Sequence, residues 1–138
     1  MKNLKCLFLL LLVQSLTCGA VPKDTLSVPL PAHAHNDYLH ERPLFDALEH
    51  GFRSIEADVF SEGDSLYVAH DRKDIQAGRT LRALYLEPLL QYFSEDRPTI
   101  YDGPLILLVD IKDNGENTYA HLDTIMYDFR EILCQFSP

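Results

Sequence analysis

The run "LILLVDIK", residues 105–112, restricts the fold more than any other part of this 138-residue chain. It is apolar at every position except Asp110 and Lys112. A strand with two apolar faces belongs in a parallel sheet covered by helices on both sides. The strand period puts Ile106, Leu108, Asp110 and Lys112 on one face and Leu107, Val109 and Ile111 on the other. Both polar residues fall at the C-terminal end, where α/β folds build their sites.

The rest of the chain alternates helices with strands around this one. "LSVPL" is expected to hold a short first strand. Pro43 suits the first turn of a helix over "PLFDALEH", and Gly51 suits its stop. "FRSIEADVF" follows as a strand, with Ile55, Ala57 and Val59 on one face and Glu56, Asp58 and Phe60 on the other. "SEGD" reads as a turn into a partner strand, "SLYVAHD", forming a hairpin. "TLRALYLEPLLQYF" has helical spacing that Pro88 must bend or split. "AHLDTIMYDFREILCQF" is expected to pack Leu122, Ile125, Met126, Phe129, Ile132 and Leu133 along one helical stripe. The alternation predicts an α/β domain with a mainly parallel sheet.

Residues 1–20 carry Lys2 and Lys5, the apolar run "CLFLLLLV" and the small residues of "QSLTCGA". That is the layout of an export signal cut after Ala20, with lipidation of Cys18 the weaker alternative. No transmembrane segment is expected in the mature chain. Loss of the two lysines moves the formal net charge from −9 to −11. So acidic a chain is a poor ligand for nucleic acid, whose phosphates are held by Lys and Arg. An anionic substrate would need a bound cation to supply positive charge. Cys134 is the only cysteine after residue 20, so packing must supply the core without an internal disulfide.

Glu56 and Asp58 leave one strand face together, about 7 Å apart along the backbone. Two such carboxylates repel unless something positive lies between them. Asp110, at a matching strand end, could complete an oxygen site suited to calcium or magnesium. His70 ends a strand as "AHD", and His33 and His35 flank Ala34 just before a helix. Two strand-end histidines near such a site can divide general-base and general-acid duties. His40, His50 and His121 read as structural or surface residues.

Taken in order, "HAHNDY", "PLFDALEHGFRSIEADVF", "LYVAHD", "TLRALYLEPL" and "LILLVDIK" resemble the N-terminal half of the glycerophosphodiester phosphodiesterase and phosphatidylinositol-specific phospholipase C-like superfamily. The resemblance is to its exported "HNDY" subgroup and covers roughly residues 30–115. It implies a TIM-type (β/α)₈ barrel that hydrolyses phosphodiesters or cleaves phospholipid headgroups with a divalent cation. It further implies Glu56, Asp58 and Asp110 as metal ligands, His35 and His70 as the catalytic histidines, and Lys112 beside the phosphate. His33, Asn36 and Asp37 are additional candidate site residues, with His33 the alternative to His35. The usual "HRG" start is absent, because Asn36 and Asp37 follow His35. The third acid is Asp110 where many members carry Glu, and in this the chain resembles the sphingolipid-cleaving relatives more.

A barrel of this type takes about 250 residues. Residues 21–138 are enough for roughly three βα units, so a partial, C-terminally truncated barrel inactive by itself is the expectation. Two rival readings remain. "HAH" also resembles the HxH pair of amidohydrolases and histidinol-phosphatase-like phosphoesterases, which would make His33 and His35 ligands of zinc or manganese. The other rival is an exported relative that binds phosphate headgroups without turnover.

Overall fold

The structure is a computed structural model that describes residues 29–94, 101 and 103–134. The expected export signal, Cys18 and residues 26–28 of the expected first strand lie outside these residues. The elements are β1 (Leu30–Ala34), α1 (Phe45–Glu49), β2 (Phe52–Glu62), β3 (Ser65–Val68), α2 (Glu87–Ser94), β4 (Ile106–Ile111) and α3 (Gly115–Asp128). Among the described residues, no helix is long and apolar enough to cross a membrane.

β2 is the centre of a four-stranded sheet. β1 runs parallel to its first half, pairing His33 with Ser54 and Ala34 with Ile55. β4 runs parallel to it from Ser54↔Ile106 to Val59↔Ile111. β3 returns antiparallel, from Val59↔Val68 to Glu62↔Ser65. Ile55 pairs with both β1 and β4, and Val59 with both β3 and β4. β1 and β3 therefore share one edge of β2, and β4 occupies the other. The three parallel strands stand side by side in chain order, and each leads to a helix.

Alternation in β2 decides the two faces. Ile55, Ala57 and Val59 are fully buried and meet Leu44, Leu48, Leu81, Tyr85 and Phe129 in one apolar core. Leu107, Val109 and Ile111 of β4 pack against the same core. The opposite face carries His33, Ser54, Glu56, Asp58, Leu108 and Asp110. The expected hairpin is present, and Gly63 turns it at φ +57°. Gly51, at φ +77°, ends the first helix with its amide donating to the Leu48 carbonyl at 3.0 Å.

Several expectations need correction. β4 is apolar on both faces, but only one is covered: Ile106 and Leu108 remain 55% and 42% exposed. On the face that holds the carboxylates, Glu56, Asp58 and Phe60 of β2 are buried, while Ile106 and Leu108 of β4 stay exposed. β1 begins at Leu30 and runs through His33, so that histidine lies within a strand rather than beyond one. β3 ends at Val68, two residues short of His70.

The helix around Pro88 is neither kinked apart nor regular. It runs through a π-helical turn over Arg82–Leu86, in which the Glu87 amide reaches back to the Arg82 carbonyl. Proline offers no N–H to the residue four before it, and the wider turn takes up that mismatch. α3 starts at Gly115, five residues before the expected helix, because the Asn114 side chain accepts from the Asn117 amide at 3.1 Å and caps it. It ends at Asp128. A short 3₁₀ turn, Arg130–Ile132, follows and leaves Leu133 exposed instead of in the stripe. Residues 135 and 136 of that expected helix lie outside the described residues.

Candidate functional site

β2 and β4 pair with Glu56 opposite Leu108 and Asp58 opposite Asp110. Residues that face each other in a parallel pair share a face, so register alone brings the three acids together. One carboxylate oxygen from each of Glu56, Asp58 and Asp110 lies within 4.8 Å of the other two. Asp58 is fully buried and Glu56 nearly so, while the Asp110 side chain is 43% exposed. The cluster is thus a recess with one open wall.

Burying carboxylates costs free energy unless each oxygen finds a partner. Asp58 Oδ2 has three: the Tyr38 hydroxyl at 2.7 Å, His70 Nδ1 at 3.0 Å and Lys112 Nζ at 3.0 Å. Asp58 Oδ1 is buried and has no partner among the described residues. Glu56 Oε2 accepts the Asn36 amide at 2.9 Å. His35 Nε2 stands 3.5 Å and His33 Nε2 3.9 Å from the same oxygen. The donor set is all oxygen, the atoms are close enough to share one ion, and one buried oxygen has no partner among the described residues. These residues fit a hard divalent cation.

Two positive or polar groups close the recess. Lys112 Nζ lies 2.6 Å from Asp110 Oδ2 as well as against Asp58. The hydrogen bonds to Asp110 and then to Asp58 raise its pKa, so the ammonium stays charged. Tyr38, buried in the turn after β1, points its hydroxyl into the same group. Burial first, and then the bond to Asp58, pushes the phenol above its ordinary value and keeps it a donor.

The loop between β1 and α1 sets these positions. Asn36 adopts a left-handed backbone, φ 51° and ψ 41°, which asparagine tolerates better than most residues. That turn delivers its amide to Glu56 and starts the 3₁₀ turn Asp37–Leu39 that carries Tyr38. Asp37 is buried, and its Oδ2 accepts the Leu44 amide at 2.6 Å and the Tyr85 hydroxyl at 3.0 Å. Asp37 thus ties the loop to the helix layer, and its Oδ1 has no partner among the described residues.

The expected site residues separate accordingly. Glu56, Asp58, Asp110, Lys112 and His70 meet in one place. His35 and His33 flank it through Glu56, with His33 Nδ1 also 2.8 Å from Ser54 Oγ. Asn36 contributes its backbone, and Asp37 supports the loop. His121 Nδ1 lies 3.0 Å from Ser61 Oγ, and His50 Nδ1 is 2.7 Å from the Asp46 carbonyl. A cleft of about 430 Å³ is nevertheless lined by His33, His35, His40 and His50 together with Asp37 and Asp46. Tyr38 is the site residue that sequence reasoning missed. Its one trace in the sequence was the tyrosine of "HNDY", which carried no role there.

Comparison with known proteins places these features in context. The profile of the AIM6-like phosphodiesterase domain family matches residues 23–102. The chain is 34% identical over 125 residues to the altered inheritance of mitochondria protein 6 homolog of Arthroderma benhamiae, a match covering 75% of this chain and 40% of that protein. It is 46% identical over 107 residues to altered inheritance of mitochondria protein 6 of Lachancea thermotolerans, covering 65% and 25% respectively. With the protein of that name from Saccharomyces cerevisiae it shares 36% identity over 110 residues, covering 68% and 28%. The chain therefore spans less than half the length of these curated relatives. No solved structure matches it.

Proposed function

This chain belongs to the AIM6-like phosphodiesterase domain family, and on that premise we propose that Glu56, Asp58 and Asp110 hold a divalent cation, calcium or magnesium, for hydrolysis of phosphodiesters. Two observations carry the reading: one carboxylate oxygen from each of Glu56, Asp58 and Asp110 lies within 4.8 Å of the other two, and Asp58 Oδ1 is buried without a partner among the described residues. When bound, such a cation supplies positive charge against a phosphate oxygen and offsets the charge that builds in the transition state.

The chain's own residues do the rest. His70 Nδ1 faces two acceptors, Asp58 Oδ2 and the Tyr38 oxygen. It therefore carries the hydrogen, which leaves Nε2 able to take a proton from an attacking hydroxyl. His35, 72% exposed at its side chain and beside Glu56, is placed to protonate the leaving oxygen. Lys112 holds a charged ammonium between Asp58 and Asp110, on the partly exposed side from which a phosphate would approach.

The substrates we propose are glycerophosphodiesters or phospholipid headgroups, and the kinship we propose is with the glycerophosphodiester phosphodiesterase and phospholipase C-like superfamily. Three parallel strands neighbouring one another in chain order fit a (β/α)₈ barrel, in which each strand lies beside the next. The exposed β4 side of the carboxylate face, at Ile106 and Leu108, is on the face such a barrel would enclose. Export through residues 1–20, and no role for nucleic acid, complete the proposal.

A ³¹P NMR time course with a glycerophosphodiester and Mg²⁺ or Ca²⁺ tests it. Residues 21–138 alone should leave the diester unchanged. The same segment fused to the part of the Arthroderma benhamiae relative beyond the matched region should convert it to a monoester or cyclic phosphate. His70→Ala in the fusion should lower the rate at least about a hundredfold. A diester that binds the fusion yet persists would support the non-catalytic headgroup-binding reading instead. Tightly held zinc, found by elemental analysis, would favour the HxH reading, for which the approach of His33 and His35 to one Glu56 oxygen is the supporting contact.

A further inference from the structure

We infer that Tyr38 is a positioning residue: its hydroxyl holds the Asp58 carboxylate and the His70 imidazole in one arrangement, with Asp58 Oδ1 left for the cation and His70 Nε2 left for proton transfer. The cation half of this rests on the reading of the carboxylate cluster proposed above; the His70 half does not.

The contacts of the phenol are specific. Its oxygen lies 2.7 Å from Asp58 Oδ2, 2.9 Å from Asn36 Oδ1 and 3.3 Å from His70 Nδ1. A hydroxyl has one proton to give. Asp58 is both the nearer acceptor and a carboxylate, so the proton goes there, and charge-assisted bonds of this kind are the stronger ones. The phenolic oxygen can in turn accept from His70 Nδ1, alongside Asp58 Oδ2 at 3.0 Å. The imidazole is thus gripped at one nitrogen by two acceptors that are themselves bonded to each other.

The backbone makes this arrangement rigid. Tyr38 sits 3% exposed in the 3₁₀ turn Asp37–Leu39, and the next residue of the loop on its N-terminal side, Asp37, is tied to Leu44 and Tyr85. Arg79 also donates to the Tyr38 carbonyl at 2.5 Å. Side chain and main chain are both pinned, so the hydroxyl cannot drift from Asp58 without moving the whole loop. His70, by contrast, lies just past the end of β3 with a side chain 56% exposed. Its orientation depends on this grip rather than on packing. Partners of this kind that orient the groups around a metal commonly change affinity or activity by about ten- to a hundredfold when removed.

The test uses this chain with ¹⁵N-labelled histidine, as wild type and as Tyr38→Phe, at one pH above the histidine range. Long-range ¹H–¹⁵N spectra read the His70 tautomer, calorimetric titration with MgCl₂ and CaCl₂ reads the cation, and circular dichroism reads the fold. Wild type should show His70 protonated at Nδ1. Tyr38→Phe should stay folded, show a mixture of His70 tautomers and bind the cation about tenfold more weakly. An Nε2–H imidazole in wild type would overturn the inference, as would Tyr38→Phe that keeps both tautomer and affinity. A Tyr38→Phe chain that no longer folds would make the phenol a structural residue and overturn it too. A changed tautomer in a protein whose wild type takes up no cation would sink the cation site while upholding the positioning of His70.

Discussion

Lys112 occupies the space between Asp58 and Asp110, 3.0 Å from one carboxylate and 2.6 Å from the other, so it stands where a divalent cation would share the same charge. An ammonium and a metal ion near the same two acids repel each other, and only partial solvent exposure softens this. Replacing it as Lys112→Met should therefore tighten Mg²⁺ or Ca²⁺ binding about tenfold, roughly 1.4 kcal/mol. Titration calorimetry checks this, and weaker binding in the variant would mean that the lysine helps to build the site instead of competing within it. At this scale much was legible in the sequence. Glu56, Asp58, Asp110, Lys112 and His70 could be grouped because strand alternation and strand-end position are local properties. Tyr38 could not, because its role depends on a left-handed turn at Asn36 that folds the loop back over β2.

β2 shows why some elements are readable and others not. Its alternation is strict, with Ile55, Ala57 and Val59 on one face, and burial of both faces from Ile55 to Phe60 enforces one register. The two helices that frame β4 were less readable. Pro88 signalled a disturbance but not its form, and the start of α3 depends on a single asparagine cap. Asp113 links these elements, accepting from the Thr118 hydroxyl at 2.5 Å, the Ser61 amide at 2.8 Å and Arg72 at 3.4 Å. Burial pushes its carboxyl up, but Thr118, the Ser61 amide and Arg72 outweigh that and hold it below the ordinary range. Its contribution to stability is then present above the unfolded value, about 3.9, and is lost as pH falls through the lower folded value. Asp113→Asn should cost about 1 kcal/mol at neutral pH. Urea unfolding across the acid range should show that gap closing below about pH 4, and a gap that widens there would reverse the assignment.

For the molecule as a whole, the sheet places three parallel strands in chain order and leaves the β4 side of the carboxylate face uncovered, with Ile106 and Leu108 exposed beside the acids. Exposed apolar residues next to buried carboxylates are costly on a finished surface. They suit a face that further strands would enclose, which is the arrangement proposed for the domain. The sequence made the α/β class and the parallel sheet legible, since a two-faced apolar strand has few other homes. It overstated the cover on β4, because periodicity reports what a strand is suited to and not which neighbours are beside it.

Calorimetric titration of CaCl₂ and MgCl₂ into the wild-type chain and into Asp110→Asn bears most directly on the site. Asp110 is exposed enough for the substitution to leave the core undisturbed. One saturable site per chain, weakened about tenfold in Asp110→Asn, is the predicted result. No saturable binding in wild type, or equal affinity in the two proteins, would mean that Glu56, Asp58 and Asp110 do not form a cation site.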